Sequence, residues 1–206
     1  SAGLNVAAGT VVTSSKFELP SNLKYPLFVK PARSGSSRGT TKVKTAAELT
    51  AAVEHALTFD TKVIIEQAII GKEIECAVLQ ADGKTSASPV GEIVISDKYE
   101  FYDFQAKYLD NSMQLVSPAD LPTGIEEKIQ KAALLAFSAA GCEGLARIDF
   151  FYSNDDQIVI NEINTMPGFT PTSVYPKLIE KTGVSYQQLI TKLIETAQKR
   201  SINVTR

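Results

Sequence analysis

Histidine is nearly missing from this chain: its 206 residues contain one, His55. A single imidazole rules out a Ser-His-Asp triad, a Cys-His pair and any multi-histidine metal site. Cysteine is scarce too. Cys76 and Cys142 are far apart and in no C-x-x-C spacing. That argues against a disulfide framework and a thiolate zinc site, and it fits a reducing cytoplasm. No stretch approaches the ~18 consecutive apolar residues of a membrane helix. The amino-terminal residues show no basic region followed by an apolar run, so no signal peptide is expected. Lys and Arg number 21 against 23 Asp and Glu, a net charge of −2. There is thus no basic surplus for nucleic acid or an anionic membrane. Internal repeats, low-complexity linkers and the Walker A pattern G-x-x-x-x-G-K-[ST] are all absent.

What is present is ordinary globular material, 44% hydrophobic and 21% charged. The length suits one large domain or two small lobes. Leu27 to Lys30 reads as a short buried strand, followed by a Gly/Ser loop from Pro31 to Gly39 and a returning strand, Thr40 to Lys44. Thr45-Ala46-Ala47-Glu48 has the form of a capping box. After it Leu49, Ala52, Val53 and Ala56 recur at helical spacing, with His55 on the surface. Val63 to Glu66 is an apolar strand ending on a carboxylate. Ile69-Ile70-Gly71 reads as a hinge. Glu73 to Gln80 is the next strand, closed by a turn at Asp82-Gly83. Ser96 to Ser112, rich in aromatics and charges, reads as a loop or lid.

Thr123 to Glu126 is a second capping-box pattern. The helix after it should bury Ile129, Ala132, Ala133, Ala136, Phe137 and Ala140, and end at Gly141. Leu145 to Tyr152 and Gln157 to Glu162 form a hairpin around a turn from Ser153 to Asp156. A loop runs from Asn164 to Ser173. Ser185-Tyr186-Gln187-Gln188 opens the last helix, whose core face should be Leu189, Ile190, Leu193, Ile194 and Ala197.

Four segments carry chemistry. In Lys30-Pro31-Ala32-Arg33-Ser34-Gly35-Ser36-Ser37-Arg38-Gly39, small residues let backbone N–H groups approach an anion, and a lysine supplies positive charge. An ordinary hairpin tip would look similar. In the Leu145–Asn164 hairpin, Arg147, Asp149 and Phe151 share one strand face, as do Ile160, Glu162 and Asn164. Pairing Ser153 with Ile158 sets Asp149 opposite Glu162 and Arg147 opposite Asn164. Facing carboxylates repel unless a cation sits between them, and hard oxygen donors suit Mg²⁺. The alternative is a surface hairpin whose acids face water. The apolar Ile148, Phe150 and Val159 weigh against it by implying a buried opposite face. Asn164 to Pro171 offers a Pro167-Gly168 turn whose N–H suits an oxyanion, or serves only as a turn. Phe101 to Tyr108 places Lys107 where a lid would reach a phosphate, or forms a solvated loop over packed aromatics.

In order along the chain, FVKPARSGSSRG, IIEQAIIGKEIECAV, FYDFQAKY, GLARIDFFY and NEINTMPGFTPTSVYP resemble the D-alanine–D-alanine ligase family, with its D-Ser- and D-lactate-adding relatives. The resemblance runs from about Asn5 to about Lys199. It implies an α+β, ATP-grasp fold, two α+β lobes clasping ATP. Residues 1–71 would be the central lobe and 72–206 the carboxy-terminal lobe. It further implies that Lys30 meets the α- and β-phosphates, that Glu66 and the backbone near Ile69 hold adenine, and that Glu73 grips the ribose. Phe151 joins these nucleotide contacts. Lys107 matches the lid lysine on the γ-phosphate and Tyr108 its partner. Asp149, Glu162 and Asn164 match ligands of two Mg²⁺ ions, with Mn²⁺ as an alternative ion. Arg147 and the Gly168 N–H match the groups on the tetrahedral intermediate. Ser36 matches a positioning serine, and Ser173 the one that holds the second substrate's carboxylate.

The implied reaction joins two D-alanines for peptidoglycan through an acyl phosphate, in a cytoplasmic homodimer. Two features qualify it. The family's amino-terminal domain, of roughly 100 residues as domains commonly are, has no counterpart here, so the isolated chain is expected to lack ligase activity. Second, the Lys107-Tyr108 pair resembles D-Ala- and D-Ser-adding enzymes rather than D-lactate-adding ones. GLARID and KPARSGSS also resemble the vancomycin-resistance branch, whereas Val174 after Ser173, where that branch often has arginine, favours D-alanine over the D-Ser alternative. A nucleotide-binding module without catalysis is the other class of reading.

Overall fold

The computed structural model describes residues 2–95 and 113–200. The chain divides into two compact units. One runs Val6–Ile70. The other gathers the first residues to Asn5, Gly71–Ile93 and the chain from Leu115 onward. The expected lid, 96–112, with Lys107 and Tyr108, lies outside the described residues.

The first unit is a four-stranded antiparallel sheet with one helix on it. Strands β1 (Gly9–Val12), β2 (Leu27–Pro31), β3 (Thr41–Val43) and β4 (Val63–Gln67) lie in the order β1-β4-β2-β3. The strand period of two sends Leu27 and Val29 inward, together with Val63 and Ile65 of β4. They meet Leu49, Ala52, Val53 and Ala56 of α1 (Ala46–Leu57) in one core. That leaves Phe28, Lys30, Ile64 and Glu66 on the outer sheet face. Glu48 reaches back to the α1 amino terminus, but its carboxylate accepts the Lys44 N–H at 2.8 Å. Thr45 is the N-cap and makes no side-chain cap hydrogen bond, so only half of the expected box forms. His55 is exposed, its ring edge-on to Phe59.

The second unit is built on a six-stranded sheet. Strands β5 (Gly71–Ala81), β6 (Lys84–Ala87), β7 (Gly91–Ile95), β8 (Met113–Val116), β9 (Leu145–Ser153) and β10 (Ile158–Asn164) form it. The order is β10-β9-β5-β7-β8, with β6 also paired to β5. One face carries Ile74, Cys76, Val78, Ala146, Ile148 and Phe150 against α2 (Ile125–Ala139), which buries Ile129, Ala133, Ala136 and Phe137. Ala140, expected in that core, is exposed, because the helix ends at Ala139 and the chain turns through Gly141 at φ 64°. The second capping box is also absent. Gly124 is the N-cap, and Glu126 instead accepts the Val90 N–H at 3.1 Å.

The opposite sheet face is covered in part by α3 (Val174–Glu180). Tyr175 Oη donates to Val78 O at 3.0 Å. At Gly91 a Cβ would stand 2.5 Å from the Leu115 Cδ1 methyl and 3.0 Å from the Leu178 Cδ2 methyl, so these leucine ends pack directly over the strand. In α4 (Tyr186–Lys199) the capping box at Ser185 and Gln188 does form. Its expected core face does not. Leu189 is buried, but Ile190 and Ile194 are 36% and 53% exposed. A moment of apolar residues sets which way a helix faces, not how much of that face its neighbours cover.

Candidate active site

Three carboxylates stand side by side on the α3 side of the large sheet. Asp149 of β9 pairs in register with Glu75 of β5 on one flank and Glu162 of β10 on the other. Arg147, two residues before Asp149, shares their face. It makes a bidentate grip on Asp149, Nε to Oδ1 and Nη2 to Oδ2, both 2.7 Å. Its Nε also lies 3.0 Å from Glu75 Oε2. Asn164, opposite Arg147, donates its amide to Asp149 Oδ2 at 2.9 Å. Phe151 and Glu73 are the next register pair on the same face.

The hairpin reaches this arrangement by a route the sequence does not show. From the turn, Ile158 faces Tyr152 and Ile160 faces Phe150, one residue out of the expected register. A bulge at Asn161 then restores it, and Glu162 faces Asp149. Two expectations change accordingly. Ile160 does not share a face with Glu162 and Asn164; it packs on the α2 core beside Ile158 and Ile163. Val159 stands opposite Phe151, on the carboxylate side.

Burial and charge compete at this centre. Asp149 and Glu75 side chains are each 3% exposed and Arg147 is 18% exposed. Burial pushes the Asp149 pKa up, Arg147 pulls it back down, and the neighbouring Glu162 charge pushes it up again. Burial works against the Arg147 charge, but Asp149, Glu75 and Glu162 outweigh it, so its pKa is raised. Three acids against one guanidinium leave an excess of negative charge, which suits a divalent cation. Asp149, Glu162 and Asn164 offer hard oxygens, the donor set Mg²⁺ prefers, and Mg²⁺ takes its remaining ligands readily from phosphate and water. Among the described residues no group of three or more His, Cys, Asp or Glu converges as a complete cage. The donor set therefore fits a metal that arrives with phosphate.

Gly168 and Ser173 form a second small group. A Cβ on Gly168 would stand 3.1 Å from Ser173 Oγ. Ser173 is the α3 N-cap, and its hydroxyl accepts the Thr170 N–H at 3.0 Å and meets Thr170 Oγ1 at 2.9 Å.

In the first unit, Lys30 Nζ lies 2.5 Å from Glu66 Oε1 on the outer sheet face. The Gly/Ser loop is pinned at its base. Ala32 N–H donates to Lys62 O at 2.9 Å. Arg33 grips Asp60 through Nε at 3.1 Å and Nη2 at 2.6 Å. At its tip Ser36 and Ser37 both hold left-handed backbone, φ 57° and 56°, which non-glycine residues seldom adopt. Ile69 is half-buried in the segment after β4.

The family model for the D-ala D-ala ligase C-terminus matches residues 1–195. This chain belongs to that family. It is 50% identical over 206 residues to the D-alanine–D-alanine ligase of Shouchella clausii, covering 97% of this chain and 55% of the relative. Ligase A of Salmonella typhimurium is 47% identical, covering 97% of this chain and 56% of the relative. This chain thus spans little more than half the length of these relatives. Among solved structures, the VanG D-Ala:D-Ser ligase of Enterococcus faecalis superposes with a TM-score of 0.83 at 41% identity, covering 95% of this chain and 57% of that one. The Bacillus anthracis D-alanine–D-alanine ligase, solved in complex with ATP, gives 0.76 at 29% identity, covering 96% and 62%. These neighbours establish the ATP-grasp fold.

Sequence reasoning missed Glu75 and Asp60. Glu75 had a readable signal. It stands two residues after Glu73, hence on the same strand face, between the buried Ile74 and Cys76. Asp60 had none, because its partner Arg33 is 27 residues away.

Proposed function

We propose that this chain is the nucleotide-binding, catalytic region of a D-alanine–D-alanine ligase. The observation that carries the reading is the Arg147–Asp149 clamp with Glu162 directly across the sheet. In the proposed reaction the carboxylate of one D-alanine takes the γ-phosphoryl group of ATP, giving an acyl phosphate and ADP. The amine of a second D-alanine then attacks the acyl carbon, and phosphate leaves. A carboxylate is a poor electrophile, and phosphorylation supplies the missing leaving group.

The chain's residues take the following parts. Lys30 binds the α- and β-phosphates, Glu66 and the backbone at Ile69 the adenine, and Glu73 the ribose, with Phe151 beside the nucleotide. Lys107 and Tyr108 belong to the segment proposed to close over the phosphates and keep water from the acyl phosphate. Asp149, Glu162 and Asn164 would hold Mg²⁺, which supplies neutralisation of phosphoryl charge. Arg147 and the Gly168 N–H stabilise the oxyanion at the acyl carbon. Ser36 orients substrate and lid, and Ser173 holds the carboxylate of the second amino acid. The small Val174 beside Ser173 supports D-alanine there.

Phosphate release by the full-length protein, offered D-alanine, D-serine or D-lactate as second substrate, tests this reading. D-alanyl-D-alanine should be the main product. Preference for D-serine would move the chain to the specificity of its VanG neighbour. No phosphate release with any of the three would contradict a ligase.

A further inference from the structure

Arg147 and Asp149 are each asked to do two things. Asp149 Oδ1 accepts Arg147 Nε, and Oδ2 accepts both Arg147 Nη2 and Asn164 Nδ2. Both carboxylate oxygens are thus engaged in holding the guanidinium and the amide. The proposed metal site needs at least one of them. Whatever Asp149 gives to a cation it takes from Arg147, at the moment when Arg147 must stay aimed at the developing oxyanion.

Glu75 is placed to resolve that conflict. Its Oε2 lies 3.0 Å from the same Arg147 nitrogen that donates to Asp149. It comes from β5, on the far side of Asp149 from Glu162, so it flanks Arg147 on the side opposite the second metal candidate. At 2% residue exposure it is sealed away from water. Asp149 is equally buried, so what sets Glu75 apart from the cation is its place across Asp149 from the exposed Glu162. The Nε–H donates to Asp149 Oδ1, and a small turn of the guanidinium would carry it to Glu75 Oε2, 3.0 Å from the same nitrogen.

We propose that Glu75 is a positioning residue that takes over the Arg147 Nε–H when Asp149 turns an oxygen to the cation. The inference rests on the proposed roles of Asp149 and Arg147. No covalent step is involved; one hydrogen bond changes acceptor. Glu75 also leaves the Arg147 guanidinium a neutralising carboxylate beside it when Asp149 turns to the ion. Without Glu75, the buried guanidinium would lose its partner as the ion binds, which is costly.

The test is nuclear magnetic resonance on the ¹³C,¹⁵N-labelled chain. It reads the scalar coupling across the hydrogen bond from Arg147 Nε to a carboxylate carbon, before and after addition of Mg²⁺ and ADP. In the wild-type chain the coupling should start at Asp149 and move to Glu75 on loading. In Glu75→Gln, loading should speed solvent exchange of the Arg147 Nε–H about tenfold, and Glu75→Asp should restore most of the protection. A coupling that stays on Asp149 in the loaded chain overturns the hand-over and leaves the nucleotide reading intact. Failure of Mg²⁺ and ADP to bind at all overturns both. If Glu75→Gln does not fold, the wild-type coupling still decides.

Discussion

Glu162 stands directly across from Asp149 because one residue, Asn161, is squeezed out of the ladder between them and the turn. Without the bulge, the turn-side register would continue, set Asn161 opposite Asp149, and aim Glu162 at Ile148 and the core. A strand offset of one reverses every side chain, so this single irregularity decides whether Asp149 has an acid on both flanks or only Glu75. Bulges are common beside active sites for this reason.

The cluster should be strongly non-additive. Arg147→Ala leaves Glu75 and Asp149 buried without their cation, and breaking such a pair destabilises by about 3–5 kcal/mol. Pairing it with Glu75→Gln should recover part of that loss. Urea unfolding of wild type, both single variants and the double variant closes the cycle. Additive effects would deny the coupling between these residues.

Lys30→Ala should weaken ADP binding in the presence of Mg²⁺. A hydrogen bond to a charged group contributes roughly 1.5–3 kcal/mol, or about 10- to 150-fold in affinity. Calorimetry on the variant reads this, with Cys76→Ala, a substitution in the α2-side core, as the comparison that should leave affinity unchanged. Equal affinity in Lys30→Ala would remove this lysine from the phosphate site.

The loop base should show in the acid stability profile. Arg33 holds the Asp60 carboxyl well below its ordinary value of 3.8. A group whose pKa is lowered by folding stabilises fully above its unfolded pKa, and that contribution fades as pH falls through the folded one. Asp60→Asn should therefore melt lower than wild type at pH 7, and the gap should narrow below about pH 4. A gap that stays constant down to pH 2 would mean that the ion pair contributes nothing.

The two thiols should differ in reactivity. Burial pushes the Cys76 thiol up to about 12, while Cys142 is only half-buried. Thiolate is the reactive form, so iodoacetamide at pH 8 should label Cys142 first and reach Cys76 only on unfolding. Mass spectrometry of the tryptic peptides distinguishes the two. Labelling of Cys76 at the same rate as Cys142 in the native chain would contradict the packing of β5.

Much of this arrangement was legible in the sequence, and the losses have physical causes. Period-two and helical spacing gave β2, β4, β9 and α1 with their buried faces, because each of those faces is covered by its own neighbours. Spacing failed for Ile190 and Ile194, whose cover depends on what packs against α4. The capping box at Thr45 formed only in part, since the Thr45 side chain makes no cap hydrogen bond, and the one expected at Thr123 failed because Gly124 is the N-cap and Glu126 accepts the Val90 N–H. Strands β1, β6, β7 and β8 are short and bury little of a clear pattern, and went unread, as did α3. The candidate ligands Asp149, Glu162 and Asn164 were readable at their final positions, but only because the bulge at Asn161 cancelled a turn one residue tighter than expected. Glu75 needed the sheet order, since its meaning lies in being next to Asp149.

The most direct test of the central claim is calorimetric titration of ADP into the chain with and without Mg²⁺, repeated with Glu162→Gln. If the Asp149–Glu162–Asn164 face holds the ion, Mg²⁺ should tighten ADP binding at least about tenfold in the wild type, a change of about 1.4 kcal/mol. The variant should lose that gain and keep its metal-free affinity. An affinity indifferent to Mg²⁺, or a Glu162→Gln variant that keeps the full Mg²⁺ gain, would contradict it.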